Sequence, residues 1–449
     1  MDPYRYIDSF VKFGTKGGYN PGLQRIKALL EPFNNPQDSL NIVHVAGSNG
    51  KGSTIAFLKS IYRKAGFKVG VYTSPHLMNF NERFEINNEN ITTEELGELV
   101  LQVQPVVKNM SDSEIGKPSY FELVTALGFL YFYQQEVDIL LLEVGLGGRL
   151  DATNIVKNPL ASVITGISLE HTSILGDTVE KIAREKAGII KKNCPVVSGV
   201  RNQSALNVIK NIAEIRGSTL IDSVKLFNYN VKENSLEGQL FTLSLRELSP
   251  EESKVYIQGS GKSLKFKLLT WSDYRICLVG EHQVRNAIIA MTVVELLYSK
   301  YRVSEKELRE GLLKAYIPGR MEIVQRNPLI VLDGAHNAEG IEILASFLKG
   351  LNKDIYIIFA VLNDKDVTKM LKELSDLKNL RLIISENNNQ RAFTAEKVKK
   401  SADELSVTVE IIKPISKAFD VVRQEAGMED VICITGSLYT VSEVKKLLL

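Results

Sequence analysis

The sequence predicts an α/β protein: a mostly parallel, doubly wound domain with an antiparallel β appendage, followed by a smaller C-terminal α/β domain. Three observations predict it. Short β-branched runs alternate with longer helical patterns over the first three hundred residues. Between about 217 and 280 the texture changes to short alternating segments. A second strand and helix alternation starts after Ile317-Pro318-Gly319-Arg320, where Pro-Gly disfavours continued helix.

In chain order, strands are expected at NIVHVAG (41–47), KVGVYTS (68–74), DILLLEVG (138–145) and SVITGI (162–167). The helical stretches STIAFLKSIYRKAG (53–66) and YFELVTALGFLYFYQQE (120–136) are long enough to cross back over a parallel sheet. FNYNVKEN, GQLFTLSLREL, SKVYIQG and LKFKLLTW, separated by Asn, Gly, Ser and Pro, read as antiparallel hairpins. Helices are expected at 282–300 and 304–316. Past the break come a strand LIVLDG (329–334), a helix AEGIEILASFLKGL, and strands IYIIFAVL, LRLIISE, TVEII and VICITGS. The expected division is a first domain over 1–316 that includes the β-rich subdomain, a linker at 317–320, and a second domain over 321–449.

Composition bounds the partners. The 449 residues are 44% hydrophobic and 24% charged, as in a soluble globular protein with more than one core. Lys+Arg 55 against Asp+Glu 53 leaves +2, so neither nucleic acid nor a membrane surface is an expected partner. Cys194, Cys277 and Cys433 are odd in number and widely spaced, which indicates neither a disulfide framework nor a zinc site and suits a reducing cytoplasm. The N-terminus lacks the apolar core of a secretory signal, and no apolar run approaches the ~18–20 residues of a membrane span.

The strongest local signal is Ala46-Gly47-Ser48-Asn49-Gly50-Lys51-Gly52-Ser53-Thr54, between an apolar strand and a helix. Glycines let backbone N–H groups wrap phosphate oxygens, the helix N-terminus adds partial positive charge, and Lys51 can reach the outer phosphates of ATP. The loop departs from G-x-x-x-x-G-K-[ST], because the first glycine is closer and Gly52 separates Lys51 from Ser53. Its bland alternative is a Gly-rich turn. Glu143 ends the most apolar strand, where a magnesium-organising acid is expected, unless it only pairs with Arg149. Ser74 ends another strand, as a Mg²⁺ ligand or a turn serine before Pro75. SLEHTSILG (168–176) brings Glu170 and His171 to the same sheet edge. In the second domain VLDGAHNAEG sets Asp333, His336 and Asn337 where a strand meets a helix, as a polar site or a helix cap. Arg320 lies at the inferred hinge.

Together HVAGSNGKGST, YTSPHL, FELVTALGFLYF, LLLEVGLGGRLDATN, HTSILGDTVEKIAREKAGIIK, PGRMEI and LDGAHN resemble, in order, the folylpolyglutamate synthase and dihydrofolate synthase family, within the Mur ligase group of ATP-dependent amide-forming enzymes. The resemblance implies that Asn49, Gly50, Lys51, Gly52 and Ser53 hold ATP and that Ser74, Glu143 and His171 organise Mg²⁺. It implies that Asn286, Arg320 and Asp333 complete the nucleotide site across the two domains. Gly22 and Leu23 in GYNPGLQRI, Tyr120-Phe121 and Leu150-Asp151 match stretches associated with the pterin substrate. His336 and Ser437 lie where incoming glutamate is expected. Lys186 in REKAG matches a lysine carbamylated in many relatives, and a monovalent cation, K⁺, is a further cofactor the resemblance admits.

The implied reaction is ATP-dependent addition of L-glutamate to the γ-carboxylate of a folate through an acyl phosphate, by a monomer that closes its two domains over small-molecule substrates. Lys51, Lys186 and His336 are its catalytic candidates, with His336 or Asp333 as a base for the glutamate ammonium. The alternative within the family is dihydrofolate synthase, joining glutamate to dihydropteroate, alone or as a second activity. Outside it stand a P-loop switch or motor ATPase, which the near-neutral charge disfavours, and a silent binding module, which intact Lys51, Glu143 and His171 disfavour.

Overall fold

The computed structural model describes residues 2–12, 22–246, 257–258 and 272–448. The expected segment LKFKLLTW (264–271) and most of SKVYIQG (253–259) lie outside them. Two compact units emerge. The first comprises Met1–Glu233, Leu240–Cys277 and Gln283–Tyr316, and the second Asn234–Gln239, Leu278–His282 and Ile317–Leu449.

The first unit is built on β1 (Ile42–Ala46), β2 (Val69–Tyr72), β3 (Phe84–Ile86), β4 (Glu89–Asn90), β5 (Ile139–Glu143), β6 (Ala161–Ile164), β7 (Val196–Ser198) and β8 (Leu220–Asp222), followed by β9 (Phe227–Ser235) and β10 (Gly238–Leu245), whose connecting ends at Asn234–Gln239 count with the second unit, and by β11 (Ile257–Gln258) and β12 (Ser272–Ile276). One nine-stranded sheet runs β11-β8-β7-β6-β1-β5-β2-β3-β4, and a three-stranded sheet runs β12-β10-β9. From β8 across to β2 every neighbour is parallel, while β3, β4 and β11 add antiparallel edges. IVHVA and ILLLE are buried at every position, as strands covered on both faces must be. The appendage therefore starts later than expected, because Leu220–Asp222 pairs in parallel with β7 inside the main sheet.

Helices cover the sheet, and their starts are chemically marked. Thr92 with Glu95, Ser119 with Glu122, and Ser304 with Glu307 form capping boxes that open Thr93–Ser111, Tyr120–Gln134 and Glu305–Lys314. One core joins Leu123, Leu127 and Phe132 to Leu140, Leu142 and Phe84, and a second lies under Val179–Ala187 and Gln203–Ile215.

The second unit holds β13 (Glu322–Arg326), β14 (Leu329–Leu332), β15 (Ile355–Phe359), β16 (Leu380–Ile384), β17 (Val409–Ile411) and β18 (Val431–Thr435), in the order β13-β14-β18-β15-β16-β17. Only β13 is antiparallel. Its core packs Leu344, Leu348, Ile357, Phe359 and Met370. No described helix of the chain is long and apolar enough to cross a membrane.

Candidate active site

Strands β6, β1, β5 and β2 are consecutive neighbours, so the loops leaving their C-terminal ends share one edge of the sheet. The connection from β1 to β2 goes one way, while β5 to β6 crosses to the other side of β1, which opens a crevice at that edge. Those four loops carry Gly47–Gly50, Gly145–Asp151, Glu170–His171 and Ser74.

The loop after β1 enters the helix Lys51–Lys64 through Gly50 at φ 88°, a left-handed conformation suited to glycine, and no side chain caps this helix. Its first N–H groups are therefore not claimed by a side-chain cap, as an anion site requires. A Cβ on Gly50 would stand 2.5 Å from Asn286 Oδ1, so the helix Glu281–Leu297 packs Asn286 directly against the loop. Thr165, Gly166 and Ser168, which the sequence does not single out, fix the other flank. Ser48 N donates to Gly166 O (2.8 Å), Ser168 N to Ser48 Oγ (3.0 Å) and Thr165 Oγ1 to Asn49 O (2.6 Å).

Lys51 Nζ donates to Gly47 O (2.9 Å) and lies 4.0 Å from Glu143 Oε1. Glu143 Oε2 accepts from Ser74 N (3.3 Å). Arg149 instead pairs with Glu185 through two nitrogens (3.0 and 2.9 Å), so the simple Glu143–Arg149 ion pair is not what forms. Among the described residues no three His, Cys, Asp or Glu cluster as a metal cage. The buried Glu143 carboxylate and the Ser74 hydroxyl on neighbouring loops are oxygen donors that fit Mg²⁺, which keeps waters and takes phosphate oxygens for the rest of its shell, while His171 offers a nitrogen that this hard cation takes less readily. His171 sits at φ 45° before the short helix Thr172–Leu175.

Lys186 is buried, and its Nζ donates to Glu170 Oε1 at 2.6 Å. Burial pushes the Lys186 ammonium below the ordinary lysine value, against the pull of Glu170. Burial would raise Glu170, but Lys186 and Lys51 outweigh it and hold that carboxyl well below its usual range. Lys186 thus forms an ion pair here.

On the expected pterin side, the Asp151 carboxylate is taken up by its own loop. Oδ2 accepts from Leu146 N (2.8 Å), and Oδ1 from Thr153 N (3.0 Å) and Thr153 Oγ1 (2.6 Å). Burial raises its pKa against those bonds. Leu150 is half-buried beside it, and the Phe121 ring lies where a Gly145 Cβ would be, 2.4 Å from that position. The Tyr120 ring faces Lys12 Nζ at 5.1 Å. Gly22 and Leu23 precede the helix Gln24–Leu30, which Arg25 ties to the buried Glu122 (2.9 Å).

In the second unit, Asp333 braces the turn at Arg320. Its Oδ2 accepts from Met321 N (2.8 Å) and its Oδ1 from Ala335 N (2.9 Å), with burial raising its pKa and Arg320 opposing. The helix Ala338–Leu351 is capped by Asn337, whose Oδ1 accepts from Gly340 N (2.8 Å), so Asp333 is not the cap. His336 Nδ1 lies 2.9 Å from Gly334 O; a carbonyl only accepts, so Nδ1 carries the proton and Nε2 is the basic nitrogen of the neutral ring. Ser437 is buried, and its Oγ accepts from Thr440 N (3.1 Å) and meets Asn387 Nδ2 (3.3 Å).

Residues 45–294 match the Mur ligase middle domain and 319–438 the Mur ligase glutamate ligase domain. Dihydrofolate synthase/folylpolyglutamate synthase of Bacillus subtilis (strain 168) is 38% identical over 454 residues, 99% of this chain and 98% of that one. The structure is similar to E. coli FolC in complex with DHPP and ADP, at 27% identity and TM-score 0.83 over 100% of this chain and 98% of that one. It is also similar to a bifunctional folylpolyglutamate synthase/dihydrofolate synthase with Mn, AMPPNP and L-glutamate bound, at 28% identity and TM-score 0.81 over 100% and 98%. The chain belongs to the dihydrofolate synthase/folylpolyglutamate synthase family of Mur ligases.

Proposed function

We propose that this protein is an ATP-dependent ligase that joins L-glutamate to a folate carboxylate, with dihydropteroate as a second acceptor. The observation that carries the reading is the helix Lys51–Lys64: it has no side-chain cap, it begins at a left-handed Gly50, and its first residue Lys51 stands 4.0 Å from Glu143. Both acceptors stay in the proposal because the Bacillus subtilis relative carries both names.

A carboxylate is a poor acyl donor at neutral pH. A carboxylate oxygen of the folate attacks the γ-phosphorus of ATP, the bond to the β–γ bridging oxygen breaks, and ADP leaves an acyl phosphate. The N–H groups of Lys51, Gly52 and Ser53 and the Lys51 ammonium meet charge on the transferring phosphoryl group. Mg²⁺, held by Glu143, Ser74 and His171, supplies further charge neutralisation on the phosphate oxygens when bound. The glutamate ammonium first gives a proton to His336 Nε2; the free amine attacks the carbonyl carbon, the C–O bond to phosphate breaks, and the nitrogen's second proton goes to the departing phosphate as the amide forms. Asp333 keeps the turn at Arg320 in place. Asn286, Arg320 and Asp333 serve the nucleotide, while Gly22, Leu23, Tyr120, Phe121, Leu150 and Asp151 serve the pterin end. Ser437 acts on the glutamate side by holding the helix Leu438–Leu448 that follows it. A carbamylated Lys186 requires the Glu170 pair to open first, and K⁺ and a monomeric, cytoplasmic enzyme complete the reading.

ADP release measured with tetrahydrofolate and with dihydropteroate, each with and without L-glutamate, tests it. Glutamate-dependent turnover of both is expected. Turnover of tetrahydrofolate alone would make it a dedicated polyglutamate synthase, and turnover of neither would end the assignment.

A further inference from the structure

We infer that Arg83 binds a carboxylate of the folate substrate, because its buried guanidinium has no carboxylate partner among the described residues and lies 5.8 and 5.9 Å from the aromatic rings of Phe80 and Tyr120; this rests on the function proposed above. Arg83 is 7% exposed. Its Nε donates to His76 Nδ1 (3.0 Å), and no described carboxylate pairs with it. Among the described residues of this unit the other buried lysine or arginine, Lys186, is matched by Glu170 at 2.6 Å, and the partly exposed Arg25 by Glu122 at 2.9 Å. A guanidinium does not shed its proton, so an unmatched one at this depth is a standing cost that an incoming anion removes.

Its position selects the anion. Arg83 ends the short turn Phe80–Arg83, and its carbonyl accepts from Thr73 N (3.2 Å), one residue before Ser74. Its Cζ lies 5.8 Å from the Phe80 ring and 5.9 Å from the Tyr120 ring. Burial raises the pKa of the Tyr72 phenol, the Arg83 charge opposes that rise, and Asp151 and Tyr120 add to it, so all three stand near the same hydroxyl. Arg83 therefore stands between the pterin-side residues and the Ser74–Glu143 edge, where a folate presents its carboxylates. Its two terminal nitrogens match the two oxygens of a carboxylate, and the ring walls strengthen the pairing by excluding water. Phosphate is served separately by the Lys51 helix.

The test compares the full-length wild type with Arg83→Met and Arg83→Lys. Arg83→Met is expected to raise KM for the folate substrate roughly 10- to 100-fold. KM for ATP stays unchanged, and the unfolding temperature holds or rises, because an apolar chain replaces an unmatched buried charge. Arg83→Lys, which keeps the charge and loses the fork, falls between. A rise with both tetrahydrofolate and dihydropteroate assigns Arg83 to the carboxylate that each presents for ligation; a rise with tetrahydrofolate alone assigns it to the α-carboxylate of the glutamate, which dihydropteroate lacks. Unchanged folate KM in both variants overturns the assignment, as does a loss of stability with folate and ATP affected alike. If the wild type itself turns over neither folate, the proposed function fails and this assignment with it. If the wild type is active and Arg83→Met matches it, only the role of Arg83 fails.

Discussion

His44 shows how a single buried residue reports on the loop above it. It sits inside β1 with its Nε2 2.9 Å from Thr153 Oγ1, and that hydroxyl gives its one hydrogen to Asp151 at 2.6 Å. Nε2 must therefore donate, which leaves Nδ1 bare, and Nδ1 is buried without a partner. A second proton would have to sit on Nδ1, away from water, so burial, helped by the Lys191 charge, lowers the pKa from 6.5 to about 3. The folded pKa is the lower one, so between these values the unfolded chain binds more protons and stability falls as pH drops below 6.5. At pH 5 the loss from this residue is about 2 kcal/mol. His44→Leu removes that dependence, at about 1 kcal/mol for the lost hydrogen bond at pH 7.5. Urea unfolding at pH 7.5, 6 and 5 checks it, and an unaltered slope in the variant would count against the assignment.

At the scale of elements, GLGGRLDATN and REKAG read as two separate stretches in the sequence, yet they pack as one body. A Cβ on Gly148 would meet Glu185 O at 2.9 Å and Lys186 O at 3.0 Å, and one on Gly188 would meet Arg149 Cβ at 2.4 Å and Cα at 2.5 Å. Arg149 N donates to Glu185 O (2.8 Å), and Lys191 Nζ supports Asn154 O (2.9 Å). Gly188→Ala has no room against that backbone, so the loop bearing Leu150 and Asp151 shifts. About 1–3 kcal/mol of stability is lost. KM for folate rises with KM for ATP unchanged, which paired thermal and kinetic measurements decide; an equal rise in both would show a general collapse instead. Packing of this kind was not legible in the sequence, because each partner satisfies its own local pattern and only the fold brings them together. The strands IVHVA and ILLLE were legible, since full burial leaves apolar runs broken only by His44 and the terminal Glu143. Leu220–Asp222 was not, because a three-residue strand beside polar neighbours is defined by its pairing with β7. Glu143 and Ser74 were legible at strand ends and Lys51 at the start of the helix after β1; Arg83, in the short turn FNER, carries no signal in the sequence, and only its depth marks it.

For the whole molecule, a net charge of +2 means that anionic substrates must be met by placed cations rather than by a general field. Lys51 is the cation proposed for that task in the first unit, whereas Arg149 is committed to Glu185. Each unit has its own core, so unfolding is expected in separable steps, and a ligand raises the step of the unit that binds it. At 100 times its Kd, AMPPNP with Mg²⁺ adds about 2.7 kcal/mol to that step. Lys51→Met keeps the helix, since methionine is a good helix former, and gives up the bond to Gly47 O, the 4.0 Å approach to Glu143 and a charge that helps hold Glu170 ionised. Its unliganded calorimetric trace should match the wild type within a degree or two, a shift of roughly 0.5 kcal/mol or less. Its AMPPNP-dependent rise should largely vanish. A full rise in Lys51→Met would show that the loop after β1 does not hold the nucleotide, and a lowered unliganded transition would show that Lys51 serves the fold more than the phosphate.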